Sequence, residues 1–247
     1  MAYVIIGGSG ALGSALALEL AARGHDLVLA GHGTARLEEA ARGIERTGRP
    51  RPATVAADVT EGPAYLAEVR AAARALGGVE GVLLPIGRSI RDDLTTPAEE
   101  AARLIAVNLT AAMDAVSGLW DDLAEAPRPV IVGFGSVTAI RGRGRNLAYG
   151  AAKRGLQTYF ESLSVLGAEA GIAVQFYVPG FLATPATAGE RTPLPRAPVA
   201  GLARMVAENL GRGSFTRFYP WWWRPVAWAL RLIPGPLYRG MAARRSG

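Results

Sequence analysis

The 247-residue chain has no cysteine. Disulfides, thiolate zinc sites and a cysteine nucleophile are thereby excluded. Histidine is scarce, with only His25 and His32 present, so a His-rich metal centre and a Ser-His-Asp triad are poorly supplied and no metal site is expected. Lysine is scarcer still: of 27 basic side chains, 26 are arginine and one is Lys153. Arginine does not give up its proton and lysine can, which makes Lys153 a candidate for chemistry on composition alone. No uninterrupted apolar run of about 20 residues occurs, so no conventional transmembrane helix is expected. Nor does the start, Met1-Ala2-Tyr3-Val4, carry the charged region of a signal peptide. A cytoplasmic protein is the expectation.

What is present suits one α/β domain. Half of the residues are apolar and 19% are charged, enough for one sizeable core and too apolar for disorder. The net charge of +6 is unevenly spread. Residues 191–247 hold ten arginines and one acid, Glu208, a net +9, while the other 190 residues hold 17 basic and 20 acidic groups. That asymmetry suggests an anionic partner for the C-terminal quarter.

Along the chain, short apolar runs alternate with alanine- and leucine-rich helical stretches. Strands are expected at Tyr3–Ile6, Asp26–Ala30, Thr54–Ala57, Gly81–Leu84, Pro129–Gly133 and Ile172–Val178, with a seventh at Ser214–Tyr219. Helices are expected near Gly10–Arg23, Thr34–Arg46, Pro63–Leu76, Pro97–Leu123, Leu147–Ala170 and Val199–Leu210. Residues 181–200, rich in Pro, Thr and Ala, read as a mobile loop. This βαβα alternation predicts a doubly wound parallel sheet of Rossmann type, with ligands at the carboxyl ends of the strands. The division expected is a catalytic domain over 1–219 and a basic, Trp-rich extension over 220–247.

Gly7-Gly8-Ser9-Gly10-Ala11-Leu12-Gly13 directly follows the first strand and opens a helix. Glycine at such a turn lets a pyrophosphate approach the helix N-terminus, so Gly7, Ser9, Gly10, Leu12 and Gly13 are candidate cofactor contacts. The second strand ends in Ala30-Gly31-His32-Gly33, without the acid that would hold a ribose 2′-hydroxyl. NADP is therefore favoured over NAD, with His32 or Arg36 as partners of a 2′-phosphate; His32 as an ordinary loop residue stays open.

Tyr149-Gly150-Ala151-Ala152-Lys153 places a phenol and an ammonium one turn apart on one helix face. A tyrosine serves as acid or base when its pKa is brought down from about 10, and a neighbouring ammonium acts in that sense. Ser136 falls thirteen residues earlier, just past the fifth strand, where it can hydrogen-bond a substrate carbonyl. Asn108 is a lone polar residue within Leu104-Ile105-Ala106-Val107-Asn108-Leu109. It is either a buried structural asparagine or part of the site.

Taken together, these residues resemble the short-chain dehydrogenase/reductase family over roughly residues 3–185. The resemblance rests on the glycine turn, Asp58-Val59 after the third strand, Asn108, Ser136, Tyr149-x-x-x-Lys153, and Pro179-Gly180 with Thr184. It implies Tyr149 as proton donor or acceptor, Ser136 orienting the carbonyl, Lys153 on the nicotinamide ribose, and Asn108 holding a relay water. It further implies Asp58 at the adenine and Pro179 to Thr184 over the carboxamide, with family members usually dimers or tetramers. Three positions depart from the pattern. Ile6 replaces a threonine, Ala11 replaces the middle glycine, and Leu84-Pro85-Ile86-Gly87 replaces Asn-Asn-Ala-Gly, the segment in which Ile86 and Gly87 would line the cofactor cleft.

The expected activity is NADP-dependent reduction of a carbonyl, or its reverse, on an apolar or lipid-linked substrate. The alternative is a non-catalytic nucleotide-binding scaffold, which the altered 84–87 segment favours. In the tail, Trp221, Trp222, Trp223 and Trp228 cluster with Arg217, Arg224 and Arg231, which recur every seven residues. Tryptophan and arginine in such a segment suit a membrane interface, so 221–241 is a candidate peripheral membrane contact, at the inner face. A subunit interface or a lid over the substrate is the competing reading. No helix-turn-helix, zinc motif or aromatic-laced sheet motif points to nucleic acid.

Overall fold

The structure, a computed structural model, describes residues 1–184, 187, 192 and 194–243. Seven parallel strands form one sheet in the order β3-β2-β1-β4-β5-β6-β9. They are β1 (Ala2–Ile6), β2 (Asp26–Gly31), β3 (Ala53–Ala56), β4 (Val79–Leu84), β5 (Val130–Phe134), β6 (Ala173–Pro179) and β9 (Phe215–Tyr219). All five residues of β1 and all five of β5 are buried, as expected for strands covered on both faces. Such continuous apolar runs are what a parallel sheet demands and what an amphipathic edge would lack.

One face is covered by α1 (Ala11–Ala22), α2 (Thr34–Glu45) and α7 (Val199–Asn209), whose Leu16, Leu20, Leu37, Ile44, Leu202 and Val206 pack on Ile5, Leu29 and Val132. The other is covered by α3 (Leu66–Ala75), α5 (Ala111–Ala124), α6 (Leu147–Ala170) and α8 (Trp223–Leu232), against Val4, Val28, Val82 and Ile131. The strand order reverses between β1 and β4, which opens a crevice at their carboxyl ends. The doubly wound fold expected from the alternation is the fold observed.

The long helix expected at Pro97–Leu123 is helical from Ala98 to Ala124, but not uniformly. α4 (Ala98–Ile105) and α5 flank one π turn, Ala106–Thr110, that contains Asn108. By length and composition this 27-residue stretch could cross a bilayer. It buries Leu104, Ala111, Ala115, Leu119 and Leu123 in the core and carries Asp114, Asp121 and Asp122, which marks it as a core helix. The segment 181–200 is also more ordered at its ends than expected. Leu182–Ala183 (β7) and Ala197–Pro198 (β8) pair in parallel, and most of the residues between them lie outside those described. α9 (Gly235–Ala243) follows α8 after a short break at Ile233-Pro234.

Candidate active site

Four loops meet at the carboxyl edge of the sheet: those after β1, β4, β5 and β6. The first is the glycine turn. Gly7 has φ of +101°, open to glycine, and its N–H and that of Gly8 donate to the Ala30 carbonyl at 2.8 and 2.9 Å. Gly13 lies so close beneath the turn that a Cβ there would stand 2.1 Å from the Gly7 carbonyl oxygen. No side chain caps α1 and no acid occupies its first turn. The N-terminal N–H groups of α1 are therefore those an anion would satisfy, and the turn fits a dinucleotide pyrophosphate. Ser9 is turned away from it, donating through Oγ to the His32 carbonyl at 2.8 Å. Leu12 packs on the core beneath α1.

Past β3, Asp58 accepts from the N–H and hydroxyl of Thr60 at 2.9 and 2.7 Å and lies 3.5 Å from Arg103. Those hydrogen bonds, with the Arg103 and His32 charges, hold its carboxyl below the usual range. His32 thus stands beside Asp58 at the outer end of the cleft, and Val59 packs partly on the core.

The altered segment after β4 acts through its backbone. A Cβ on Gly7 would stand 3.0 Å from the Pro85 carbonyl, so Pro85 closes over the turn. Ile86, itself buried, offers its carbonyl to Lys153 Nζ at 3.2 Å. Gly87 leaves room between two side chains: a Cβ there would stand 3.2 Å from Asn108 Oδ1 and 3.6 Å from Lys153 Nζ. None of these contacts needs the usual side chains.

Asn108 is buried and bonded on both sides. Its Nδ2 donates to the carbonyls of Arg88 at 2.8 Å and Leu104 at 3.0 Å, and its Oδ1 accepts from the Arg88 N–H at 3.3 Å. A regular α-helix would pair the Leu104 carbonyl with the Asn108 backbone N–H; in the π turn the side chain takes that place. Asn108 thereby clamps the loop after β4 at Arg88 to the π turn, beside Lys153.

The remaining groups come from β5 and α6. Ser136 starts the 3₁₀ turn Val137–Ala139 and accepts from the Thr138 N–H and hydroxyl at 3.2 and 2.8 Å. Burial raises the Tyr149 phenol above its ordinary value; the neighbouring Ser136 hydroxyl, the Arg143 guanidinium and the Thr138 hydroxyl oppose the rise. The expected lowering by Lys153 is not what dominates in the chain itself. Lys153 Nζ donates instead to the carbonyls of Ile86 and Phe134 at 3.2 and 3.1 Å, and desolvation pushes its own pKa down to about 8.

That shift gives a stability prediction. In the unfolded chain Lys153 ionises near 10.5 and in the folded chain near 8. Between those values the unfolded state binds the extra proton, so stability rises with pH and the cost of the buried ammonium is borne in full only below 8. From pH 7.5 to 9.5 the gain is about 2 kcal/mol, and urea melts should show it in the native protein and lose it in Lys153→Met. An equal rise in both would contradict the assignment.

Two participants carry no sequence signal of their own. Thr138 joins the hydroxyl cluster, which only the Ser-x-Thr spacing after a strand hints at. Asp92, almost wholly buried, receives the Ala148 N–H on Oδ2 at 2.5 Å and the Asn146 N–H on its carbonyl at 2.7 Å. It fixes the first turn of α6, and with it Tyr149. On the fourth loop, Pro179 ends β6, Gly180 donates its N–H to the Tyr219 carbonyl at 2.7 Å, and Thr184 bonds to Thr187 through both N–H and hydroxyl at 3.1 Å. Among the described residues no cluster of metal-ligating side chains occurs.

Comparison with known proteins gives the family. The family model described as short chain dehydrogenase matches residues 2–194. An uncharacterized oxidoreductase of Myxococcus xanthus is 29% identical over 243 residues, covering 98% of this chain and 96% of that protein. Another, of Streptomyces coelicolor, is 31% identical over 240 residues, covering 96% and 94%. Among solved structures, a short chain dehydrogenase from Burkholderia cenocepacia in complex with NADP superposes with a TM-score of 0.78 at 25% identity, covering 87% of this chain and 95% of that one. The L-sorbose reductase of Gluconobacter frateurii shares the fold, with a TM-score of 0.77 at 22% identity over 88% and 94%. A glycine turn under an uncapped helix, a hydroxyl cluster on Tyr149 and a buried Lys153 one turn further on are thus set in a chain that belongs to the short-chain dehydrogenase/reductase family, the NAD(P)-dependent oxidoreductases.

Proposed function

We propose that the chain is an NADP-dependent carbonyl reductase for an apolar or lipid-linked ketone, with Tyr149 as the general acid. Its catalytic part is 1–219 and its extension is 220–247. The observation that carries the reading is the meeting of the Tyr149, Ser136 and Thr138 hydroxyls one helical turn from a buried ammonium. Ser136 and Tyr149 together polarise the carbonyl oxygen, and Tyr149 hands it a proton. Lys153 holds the ribose hydroxyls and a positive charge behind the phenol. Asn108, across Gly87 from Lys153, supports the water that returns the proton.

When bound, NADPH supplies the hydride. Gly7, Gly10, Leu12 and Gly13 hold its pyrophosphate, with Ser9 fixing the turn. Asp58 and Val59 border the adenine, Ile86 and Gly87 line the ribose side, and Pro179, Gly180 and Thr184 cover the carboxamide. The preference for NADP rests on the end of β2, which offers no acid, and on Arg36. The Arg36 side chain is exposed, curls back to Gly33, and makes no ion pair among the described residues. Arg36→Ala should raise the KM for NADPH about tenfold to a hundredfold, the worth of one charge-assisted hydrogen bond, and leave that for NADH unchanged. An equal effect on both cofactors would remove Arg36 as the partner of the 2′-phosphate. Phe181, Trp222 and Trp223 pack together just past Gly180, which supports an apolar substrate. Following NADPH oxidation against ketones of increasing chain length tests the whole reading: no turnover with any of them rejects it. The outward Met113 of α5 and Val165 and Leu166 of α6 support a homo-oligomer.

A further inference from the structure

The C-terminal helices have two unlike faces. The inner face is seated on the loops that build the site. Trp223 and Ala227 are buried, and Trp223 meets Phe181 edge to face at 5.6 Å. Arg141, just past the Ser136 turn, donates to the carbonyls of Leu230 and Ile233 at 2.7 and 2.6 Å, and so satisfies the end of α8. Its guanidinium also lies 4.0 Å above the Tyr238 ring of α9. The tail is therefore fastened, on two sides, to the segments following β5 and β6.

The outer face has no partner among the described residues. Trp221, Trp228, Leu232 and Leu237 expose 75%, 64%, 75% and 64% of their surface, among the highest of any large apolar residue. Arg224, Arg231 and Arg239 are exposed between them and make no ion pair among the described residues. Arg224, Trp228 and Arg231 follow at steps of four and three, one stripe of α8, with Trp221 in the turn just before it. From residue 209 to the end there are seven arginines and no acid. Beside Trp221, a cavity of about 410 Å³ between α7 and β9 is walled by Arg204, Arg217, Arg224 and one acid, Glu208. Exposed indoles alternating with unpaired guanidinia suit one environment above others: a layer with apolar chains below and phosphates above.

We propose that the outer face of α8 and α9 docks on the surface of an anionic phospholipid bilayer. The indoles of Trp221 and Trp228, with Leu232 and Leu237, sit at the headgroup–acyl boundary, and Arg224, Arg231 and Arg239 bind lipid phosphates. The charge selects anionic lipid, and the shallow apolar stripe sets a peripheral mode of attachment. Because the inner face holds the loops after β5 and β6, docking brings the mouth of the substrate site to the bilayer. That last consequence rests on the carbonyl-reductase reading; the docking itself does not.

Flotation of the full chain with vesicles tests it without any turnover assay. Binding is expected to vesicles of phosphatidylcholine with one-third phosphatidylglycerol, to be absent with phosphatidylcholine alone, and to weaken as salt is added. Arg224→Gln with Arg231→Gln should lower the partition coefficient about thirtyfold. Trp221→Ser with Trp228→Ser should lower it about tenfold or more and abolish the blue shift of tryptophan emission on binding. Both double variants change exposed side chains, so unchanged thermal melts show that the fold is intact. Equal flotation with neutral and anionic vesicles, or unaltered flotation of both variants, overturns the proposal. So does a chain that ignores vesicles but whose mass by light scattering drops in the tryptophan variant, which would give this face to a second copy. A chain that floats yet reduces no ketone would refute the activity and leave the docking standing.

Discussion

Tyr149→Phe is expected to cut ketone reduction by about a hundredfold to ten-thousandfold, the usual worth of a positioned general acid. The change removes one hydroxyl and little else. Ser136 and Thr138 keep their own 2.8 Å hydrogen bond, so neither is left buried without a partner, and the fold should lose no more than about 1 kcal/mol. Nucleotide affinity should be nearly unchanged, because the cradle after β1 is untouched. Steady-state turnover alongside NADPH titration separates these effects. Turnover within a few-fold of the native protein would remove Tyr149 from the chemistry. Comparable loss of binding and turnover would mean that the residue is structural.

Gly13→Ala should do the opposite, abolishing the cofactor site while leaving the hydroxyl cluster alone. The added Cβ would stand 2.1 Å from the Gly7 carbonyl oxygen and 2.8 Å from the Gly8 Cα. Both are backbone atoms, so no rotamer relieves the clash and either the turn or α1 must move. The strain is worth about 1–3 kcal/mol of stability. Affinity for NADPH should fall more than tenfold, since displaced N–H groups at a helix N-terminus no longer converge on the pyrophosphate. Gly43→Ala is the control. It lies inside α2 with nothing within 4 Å of the new Cβ, and should raise stability by about 0.5–1 kcal/mol. Calorimetric titration decides the matter: tight binding by Gly13→Ala would mean that the turn is not the cradle.

Much of the fold was legible because parallel strands must be apolar on both faces. Val28 to Ala30 and Val130 to Val132 are buried throughout, and no other element produces such short, unbroken runs between glycine- and proline-rich loops. Tyr149 and Lys153 were legible because helical spacing alone makes them neighbours. What escaped depends on contacts distant in sequence. The π turn is invisible to periodicity, since it is held by the Asn108 side chain bonding Leu104 and Arg88. Asp92 caps α6 from 56 residues away. The environment of Lys153 escaped for the same reason. Its partners are two carbonyls from β5 and the loop after β4, and burial lowers its pKa. The ends of segment 181–200 pair because the chain comes back beside Leu182 at Ala197, just before it enters α7.

One feature of the tail bears on how this chain can change over generations. A Cβ at position 180 would fall 1.8 Å from Trp223 Nε1, so the indole fills the volume that any side chain at 180 would occupy. These two positions are locked into a joint choice: a bulkier residue at 180 requires a smaller one at 223. A side chain introduced at 180 alone would therefore unseat the indole that pins α8 to the loop after β6.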